Sequence, residues 1–477
     1  MPAVLSVPLP VEKFLRLFYI VSPSRTTFTS LEDIPDYTQE AIPSFVVTIS
    51  LELVYYLLFD RRGLKRDDGS WATAKWRMND IVGSITAGSL YTISKFFIPQ
   101  IETLGYIYVW DHFRVYGLDP TSLPTWIAAF LAADLGYYWF HRMAHEVNFM
   151  WAAHVVHHSS EHYNQSTALR QSIFQQLTSW AFYLPAALFI PPSMFFVHRQ
   201  LTVLYQYWIH TEVVPHLGFL EYIINTPSSH RVHHGRNPYC VDKNYAGTLI
   251  IWDRLFGTYE PERVYPQVVA RKEDEEPVRY GLVHPINTFN PITVQTHHFV
   301  HILKTAYQTP GWINKAKVLV YGPGWHPGTP RTGLVSELPP IDRHNPPPKY
   351  DPELPLDLAV YNGLHAVTTI GLSALFFEKA STLSLSAIRL VTGYLGISFY
   401  STGALYDAQP DALSIELVKN VVGCALLEAA KGHSSIPASG RLGLQLLQAF
   451  YLGSGVYIGS KLIRRGRNWA SNKPKTQ

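Results

Sequence analysis

LGYYWFHRMAHEVNFMWAAHVVHH (Leu135–His158) is the stretch on which the fold turns. It opens as the end of an apolar run and then places His141 and His145 four residues apart. On a helix that spacing stacks two imidazoles on one face, about one turn apart, where both reach the same ion. Asp134 and Tyr138 lie on the same stripe, seven and three residues before His141. The carboxylate of Asp134 is therefore placed to orient a ligating imidazole. His154, His157 and His158 follow at i, i+3 and i+4, and HRVHH repeats the form with His230, His233 and His234. The reading is an all-α chain with three histidine-bearing helical turns.

The chain has 477 residues, enough for more than one domain, and only 16% of them are charged against roughly 25% in soluble globular chains. Aromatic residues make up 14%. The mean hydropathy of +0.01 is unremarkable because polar, Pro-rich stretches dilute the apolar ones. A net charge of +3 without a basic patch excludes nucleic acid as a partner. Two cysteines, Cys240 and Cys424, exclude a disulfide scaffold and a Cys-based zinc or iron–sulfur site. Of 21 histidines, 12 fall between His141 and His234, and function is to be sought there.

Apolar runs occupy Ile42–Phe59, Ile81–Ile98, Pro124–Phe140 and Ser179–Val197, the last followed by a shorter stretch to Ile209. Further runs are Leu354–Phe377, Leu383–Tyr406, Ala412–Ala430 and Leu442–Ser460. They predict a polytopic integral membrane protein with about eight to nine transmembrane helices. Before the first run, Arg25 faces Glu32, Asp33, Asp36 and Glu40; after it come Arg61, Arg62, Lys65, Arg66, Lys75 and Arg77. The basic side is expected to be cytosolic. Counting spans from there puts every histidine block, and the C-terminus with its Lys461, Arg464, Arg465 and Arg467, on that side. No signal-peptide grammar is present at the N-terminus. The expected division is an N-terminal segment (1–41), a membrane-embedded catalytic domain (42–320), an extended Pro-rich connector (321–355), C-terminal transmembrane helices (356–461) and a basic cytosolic tail (462–477).

Eight imidazoles packed together are prohibitive if protonated and wasteful if unpaired, and metal binding resolves both problems. The number exceeds the three or so ligands of a zinc hydrolase and suggests two metals. All-imidazole ligation suits zinc, copper, iron or nickel by softness alone.

The order HxxxH, HxxHH, HxxHH resembles the fatty acid hydroxylase superfamily of membrane di-iron oxygenases, which includes sterol desaturases and hydroxylases. The resemblance is strongest to its glyceryl-ether-cleaving branch. It is carried by LGYYWFHRMAHEVNFMWAAHVVHHSSEHYNQSTALRQS (135–172), QYWIHTEVVPHLG (206–218) and NTPSSHRVHHGRNPYCVDKNYAGTLIIWDRLFGTYE (225–260), with YGLVHPINTF (280–289) and FTSLEDIPDY (28–37). It covers the chain to about residue 335 and is weak in the C-terminal runs.

The resemblance implies that His141, His145, His154, His157, His158, His230, His233 and His234 hold two Fe2+ ions. Relatives often supply a further histidine pair between the second and third blocks. Here His210 fits the first position, but Val214 stands at the second and the next histidine is His216. Glu146 and Asp134 are candidate catalytic or ligand-orienting carboxylates. His162, His198, His297, His298 and His301 lack a place in the pattern and read as structural.

The implied activity is oxygenation, by O2 and tetrahydrobiopterin, of the alkyl carbon next to the ether oxygen of a glyceryl ether. The implied setting is the endoplasmic reticulum membrane, with no obligate protein partner. Without a Gly-rich dinucleotide fingerprint, electrons must come from a diffusible donor or a partner. A sterol or fatty acyl hydroxylase or desaturase served by an electron-transfer protein is the alternative. A histidine-rich metal transporter is a third reading, disfavoured because the histidines sit at span ends rather than along them.

Overall fold

A chain with few charges and many long apolar runs can satisfy its backbone in lipid only by internal hydrogen bonds, and helices do this within each segment. The computed structural model describes residues 9–58, 77–98, 100–263, 277–341, 348–431 and 438–471. Among these there is no strand, only a single bridge between Gly235 and Tyr280. The basic loop at 61–76, on which the expected orientation leans, lies outside the described residues, as do 342–347 of the connector and 472–477 of the tail.

The helices fall into two compact units. The first comprises residues up to Ile286 together with Gln295–Lys349. It contains α1 (Leu9–Leu15), α2 (Tyr37–Leu58), α3 (Met78–Ser94), α4 (Ile101–Phe113), α5 (Leu123–Glu146), α6 (Asn148–His158), α7 (Pro192–Trp208), α8 (Pro227–His233) and α9 (Ile251–Leu255). It also holds α10 (Pro291–Gln308) from Gln295 onward, and α11 (Trp312–Val320).

The core of this unit is built on α5. Ser122 caps it by accepting a hydrogen bond from the Thr125 amide at 3.3 Å, and Pro124 sits in the first turn, where its missing N–H costs nothing. Small residues then line one face. Ala129, Ala133, Tyr137 and Phe140 pack with Tyr106 of α4, Tyr183, and Met194 and Phe195 of α7. Gly136 is required at this contact, since a Cβ there would lie 2.8 Å from Tyr183 Cδ1.

The run Ser179–Val197 departs from a continuous span. Pro185 lies inside a tight 3-10 stretch, Trp180–Leu188, and α7 starts afresh at Pro192. Proline removes a helical donor and clashes with the preceding turn, so the segment bends where the sequence reading ran it straight. The Pro-rich connector also departs from an extended linker. The Gly322 amide donates to Arg331 O at 2.8 Å, Trp325 is buried against Ala152, Ile302 and Val318, and Arg331 reaches Glu146 at 2.8 Å.

The second unit comprises Asn287–Val294 and the chain from Tyr350 onward. Its helices are α12 (Leu356–Lys379), α13 (Leu385–Tyr406), α14 (Ala412–Lys431) and α15 (Ala438–Ser471). Two of the ionisable residues that interrupt its apolar runs, Glu416 and Lys419, are paired inside it. Glu416 accepts from Lys419 Nζ at 2.5 Å, Tyr361 at 2.7 Å and Ser401 at 2.6 Å, and Lys419 Nζ lies 2.8 Å from His365 Nδ1. Among the described residues, two helices are long and apolar enough to cross a membrane: Tyr37–Leu58, and Leu356–Thr382, which is α12 with its 3-10 extension.

Candidate metal centre

Val147 ends α5 and begins α6, so the two helices meet with one residue between them. That sharp junction brings the last turn of α5, with His141 and His145, against α6, with His154, His157 and His158. Thr226 and Pro227 start α8, whose single long turn carries His230, His233 and, at its end, His234. His210 stands just past the end of α7.

These nine imidazoles form two groups. One contains His141, His145, His154, His158 and His233; the other contains His157, His210, His230 and His234. Within each group the ligand atoms lie within 4.8 Å of one another, and every residue is buried. The two HxxHH blocks are used reciprocally. Each gives its i, i+4 pair to one group and its i+3 member to the other, so α6 and α8 interlock. Sequence spacing alone assigns a block to a face and does not reveal this exchange.

Hydrogen bonds on the far side of the rings fix which nitrogen faces inward. His141, His157, His210 and His233 each place Nδ1 on a main-chain carbonyl: Tyr245 at 2.8 Å, Arg170 at 3.1 Å, Gln206 at 2.6 Å and Lys243 at 2.9 Å. A carbonyl only accepts, so each Nδ1 carries the proton and each Nε2 a lone pair. Yet His210 Nε2 and His157 Nε2 are 3.2 Å apart. Two lone pairs at that distance repel and cannot form a hydrogen bond. In the larger group, the buried Nε2 atoms of His145 and His233 have no hydrogen-bond partner.

Protonation is no remedy. Burial, with the neighbouring imidazoles, drives His141, His145, His154, His158, His210, His230 and His234 well below the ordinary histidine range. Burial likewise takes His157 down to about 4 and His233 to about 3. Neutral imidazoles aiming lone pairs at a common point are a donor set for a cation. Separations of 3.1 Å, as between His141 and His154 or His210 and His234, match what nitrogens about 2.1 Å from one ion present to each other.

The chain matches the fatty acid hydroxylase family over residues 126–258, the segment that contains all nine histidines. It is 47% identical to the human alkylglycerol monooxygenase over 410 residues, covering 85% of this chain and 86% of that protein. The Xenopus tropicalis alkylglycerol monooxygenase is 45% identical, with 84% of each chain covered, and that of Danio rerio 42%, with 86% of each covered. The chain belongs to the alkylglycerol monooxygenase family. No solved structure matches it.

In this family member, the residues singled out from sequence are not all in one place. Asp134 is fully buried, and its hydrogen bonds all go to residues 248–252, at the start of α9: it accepts from the amides of Thr248 at 2.7 Å and Leu249 at 2.9 Å and from Trp252 Nε1 at 3.0 Å. It orients no imidazole directly. Glu146 accepts from Arg142 at 2.8 Å and Arg331 at 2.8 Å, an anchor between α5 and the segment after α11.

His210 joins the smaller group although Val214 breaks the expected pair. Arg231, between the histidines of HRVHH, donates to Thr211 O at 3.0 Å and Val214 O at 2.8 Å while its other nitrogens fork onto Glu262 at 2.8 and 2.7 Å. From the opposite side, Glu52 accepts from the Thr211 hydroxyl at 2.5 Å. His216 is exposed, away from both groups, and His198 bonds Tyr19 at 2.8 Å. His298 bonds Asn148 at 2.6 Å.

Sequence reasoning missed Asp242, 3.8 Å from His145 Nδ1, and the residues whose carbonyls receive the imidazoles: Arg170, Gln206, Lys243 and Tyr245. No spacing rule announces a residue that works through its backbone.

Proposed function

We propose that this protein is a membrane monooxygenase that cleaves the O-alkyl bond of glyceryl ethers, with two ferrous ions held by the nine histidines. The observation that carries the site is the approach of His157 and His210 through unprotonated nitrogens, 3.2 Å apart, which only a cation satisfies. Membership of the alkylglycerol monooxygenase family supports the substrate class. In this reading the chain is a multi-pass protein of about eight to nine spans. It resides in the endoplasmic reticulum membrane with the histidines and the C-terminus on the cytosolic side.

The five-histidine group would hold one ion and the four-histidine group the other. When bound, the pair supplies activation of dioxygen, with tetrahydrobiopterin as the source of two electrons. One oxygen atom enters the C–H bond of the alkyl carbon beside the ether oxygen, and the other leaves as water with two protons. The resulting hemiacetal breaks its C–O bond to give a fatty aldehyde and a glycerol derivative. The chain's own contribution is placement. Carbonyls fix the ligating nitrogens, and burial of every imidazole keeps water from competing for them. Trp151, with its ring 4.9 Å from His145, and Tyr245, at 5.3 Å, give the larger group an aromatic flank suited to an alkyl chain.

The test is aldehyde release from an alkylglycerol by membranes carrying the chain, with and without tetrahydrobiopterin, beside His145→Ala. Pterin-dependent aldehyde that falls at least a hundredfold in the variant is expected. Iron-loaded protein that oxygenates a sterol or fatty acyl chain instead, and releases no aldehyde, would move the substrate assignment to the alternative.

A further inference from the structure

Two of the carbonyls that set the ligating nitrogens belong to one short segment. Lys243 O receives His233 and Tyr245 O receives His141, and both histidines lie in the five-histidine group. Neither carbonyl is part of a helix, so nothing in regular secondary structure holds it in place. The segment is a turn with unusual backbone: Asp242 and Asn244 have φ of 59° and 56°, the left-handed region that Asn and Asp tolerate better than most residues.

Two buried side chains pin this turn. Asn244 is fully buried; its Nδ2 donates to Ser229 O at 2.9 Å and Glu260 O at 2.8 Å, and its Oδ1 accepts from the Glu260 amide at 2.9 Å. It therefore ties the turn to α8, which carries His233, and to the chain after α9. Asp253 is also fully buried. Its two oxygens accept from the amides of Tyr245 at 2.8 Å and Ala246 at 2.8 Å, and from the Thr258 hydroxyl at 2.6 Å. The Tyr245 peptide is thus gripped at its amide by Asp253, while its carbonyl grips His141. Neither Asn244 nor Asp253 touches an imidazole through a hydrogen bond of its own.

We propose that Asn244 and Asp253 are positioning residues for the five-histidine group, acting through the Lys243 and Tyr245 carbonyls to hold His233 and His141 with Nε2 inward. This rests on the metal-binding reading above. Partners of ligating histidines typically change metal affinity by roughly 10–100-fold when removed. Because both anchors serve one group, the effect is asymmetric. One ion is loosened and the other, held by His157, His210, His230 and His234, is not.

The experiment uses full-length protein in detergent and follows iron per chain and the rate of iron loss to a coloured chelator. Wild type is expected to carry two irons. Asp253→Asn faces an amide N–H with an N–H of its own, and Asn244→Gly keeps the left-handed backbone while deleting three hydrogen bonds. In each, one iron should leave at least tenfold faster and the second at the wild-type rate. Glu262→Gln, which disturbs the arginine behind His210, should loosen the other iron.

If Asp253→Asn does not fold, Thr258→Val decides, since it deletes the bond to Asp253 and the hydroxyl contact with Tyr138 while leaving the backbone untouched, and Tyr138→Phe, which removes the second contact but not the first, separates the two. Folded variants that melt at lower temperature yet release both irons at wild-type rates would reduce these residues to a structural role and overturn the proposal. A His145→Ala protein that still holds two irons with wild-type kinetics would instead overturn the metal assignment itself.

Discussion

At Gly247 the loop beside the five-histidine group has no room for a methyl group. A Cβ there would meet Asp134 Oδ1 at 2.8 Å, Tyr137 Cδ1 at 2.9 Å and Thr202 Cγ2 at 3.1 Å. Asp134 cannot give way, because its oxygens are committed to the Thr248 and Leu249 amides and to Trp252. Gly247→Ala should therefore cost about 1–3 kcal/mol through overpacking. It should also lower iron content, since Tyr245 and its carbonyl lie two residues away. Thermal unfolding and iron analysis of the purified variant check this, and a variant with wild-type melting would show that the loop shifts freely.

The same residue scale shows what a sequence reveals about a site. Eight histidines were legible because helical spacing makes their common face visible. His210 was half legible. Its position past α7 follows from no spacing rule, and its capture depends on Arg231 and Glu52, which come from distant parts of the chain. Asp134 was read from its stripe on α5 as a carboxylate placed to orient an imidazole, whereas its hydrogen bonds reach the Thr248 and Leu249 amides and Trp252 of α9.

Among the elements, α2 is the clearest case of an apolar helix with a polar duty. From hydropathy, Glu52 is an interruption to be tolerated. In the structure it is buried and accepts hydrogen bonds from the Gln165 amide at 2.8 Å and the Thr211 hydroxyl at 2.5 Å. Both residues lie close in sequence to the four-histidine group: Gln165 is two residues after Tyr163, whose ring is 5.6 Å from that of His210, and Thr211 directly follows His210.

Glu52→Leu makes a better membrane span and should insert normally. It nonetheless removes the acceptor of the partly buried Gln165 amide and of the Thr211 hydroxyl proton, at about 1–3 kcal/mol for each lost partner, although the Thr211 oxygen keeps the Val213 amide. The expected result is normal membrane yield with a lowered melting point and loss of iron from the four-histidine group. Iron per chain held at two, with unchanged melting, would return Glu52 to the status of a passive interruption.

The apolar runs marked α2, α3, α5, α7 and α12 to α15, but α4 and α10 lie outside them. The bend between Trp180–Leu188 and α7 was not read, although Pro185, Pro191 and Pro192 mark it, because its apolar composition is continuous.

On the scale of the molecule, all nine histidines lie in the first unit, while the second closes around its own ionic core of Glu416, Lys419 and His365. The stability of the first unit is therefore expected to depend on pH and, in the metal-binding reading proposed above, on metal as well. Folded, the imidazoles are held neutral, with His157 at about 4 and His233 at about 3, against about 6.5 in the unfolded chain. Below pH 6.5 the unfolded state binds protons that the folded state refuses, so stability rises with pH across this window and is lost as pH falls from about 6.5 toward 4. Each imidazole that titrates only in the unfolded state contributes about 1.4 kcal/mol per pH unit.

Nine packed histidines without their ions should thus make the chelated protein steeply acid-sensitive. Bound ions stabilise the folded state by mass action and compete with protons for the same nitrogens. Melting in detergent from pH 7.5 to 5 should show a large fall for chelated protein and a smaller, later one for the iron-loaded form. Equal melting of the chelated protein at pH 5 and 7.5 would mean that the imidazoles accept protons without cost. They would then have to separate in the absence of metal, and the close approach of His157 and His210 would belong to the metal-bound chain alone.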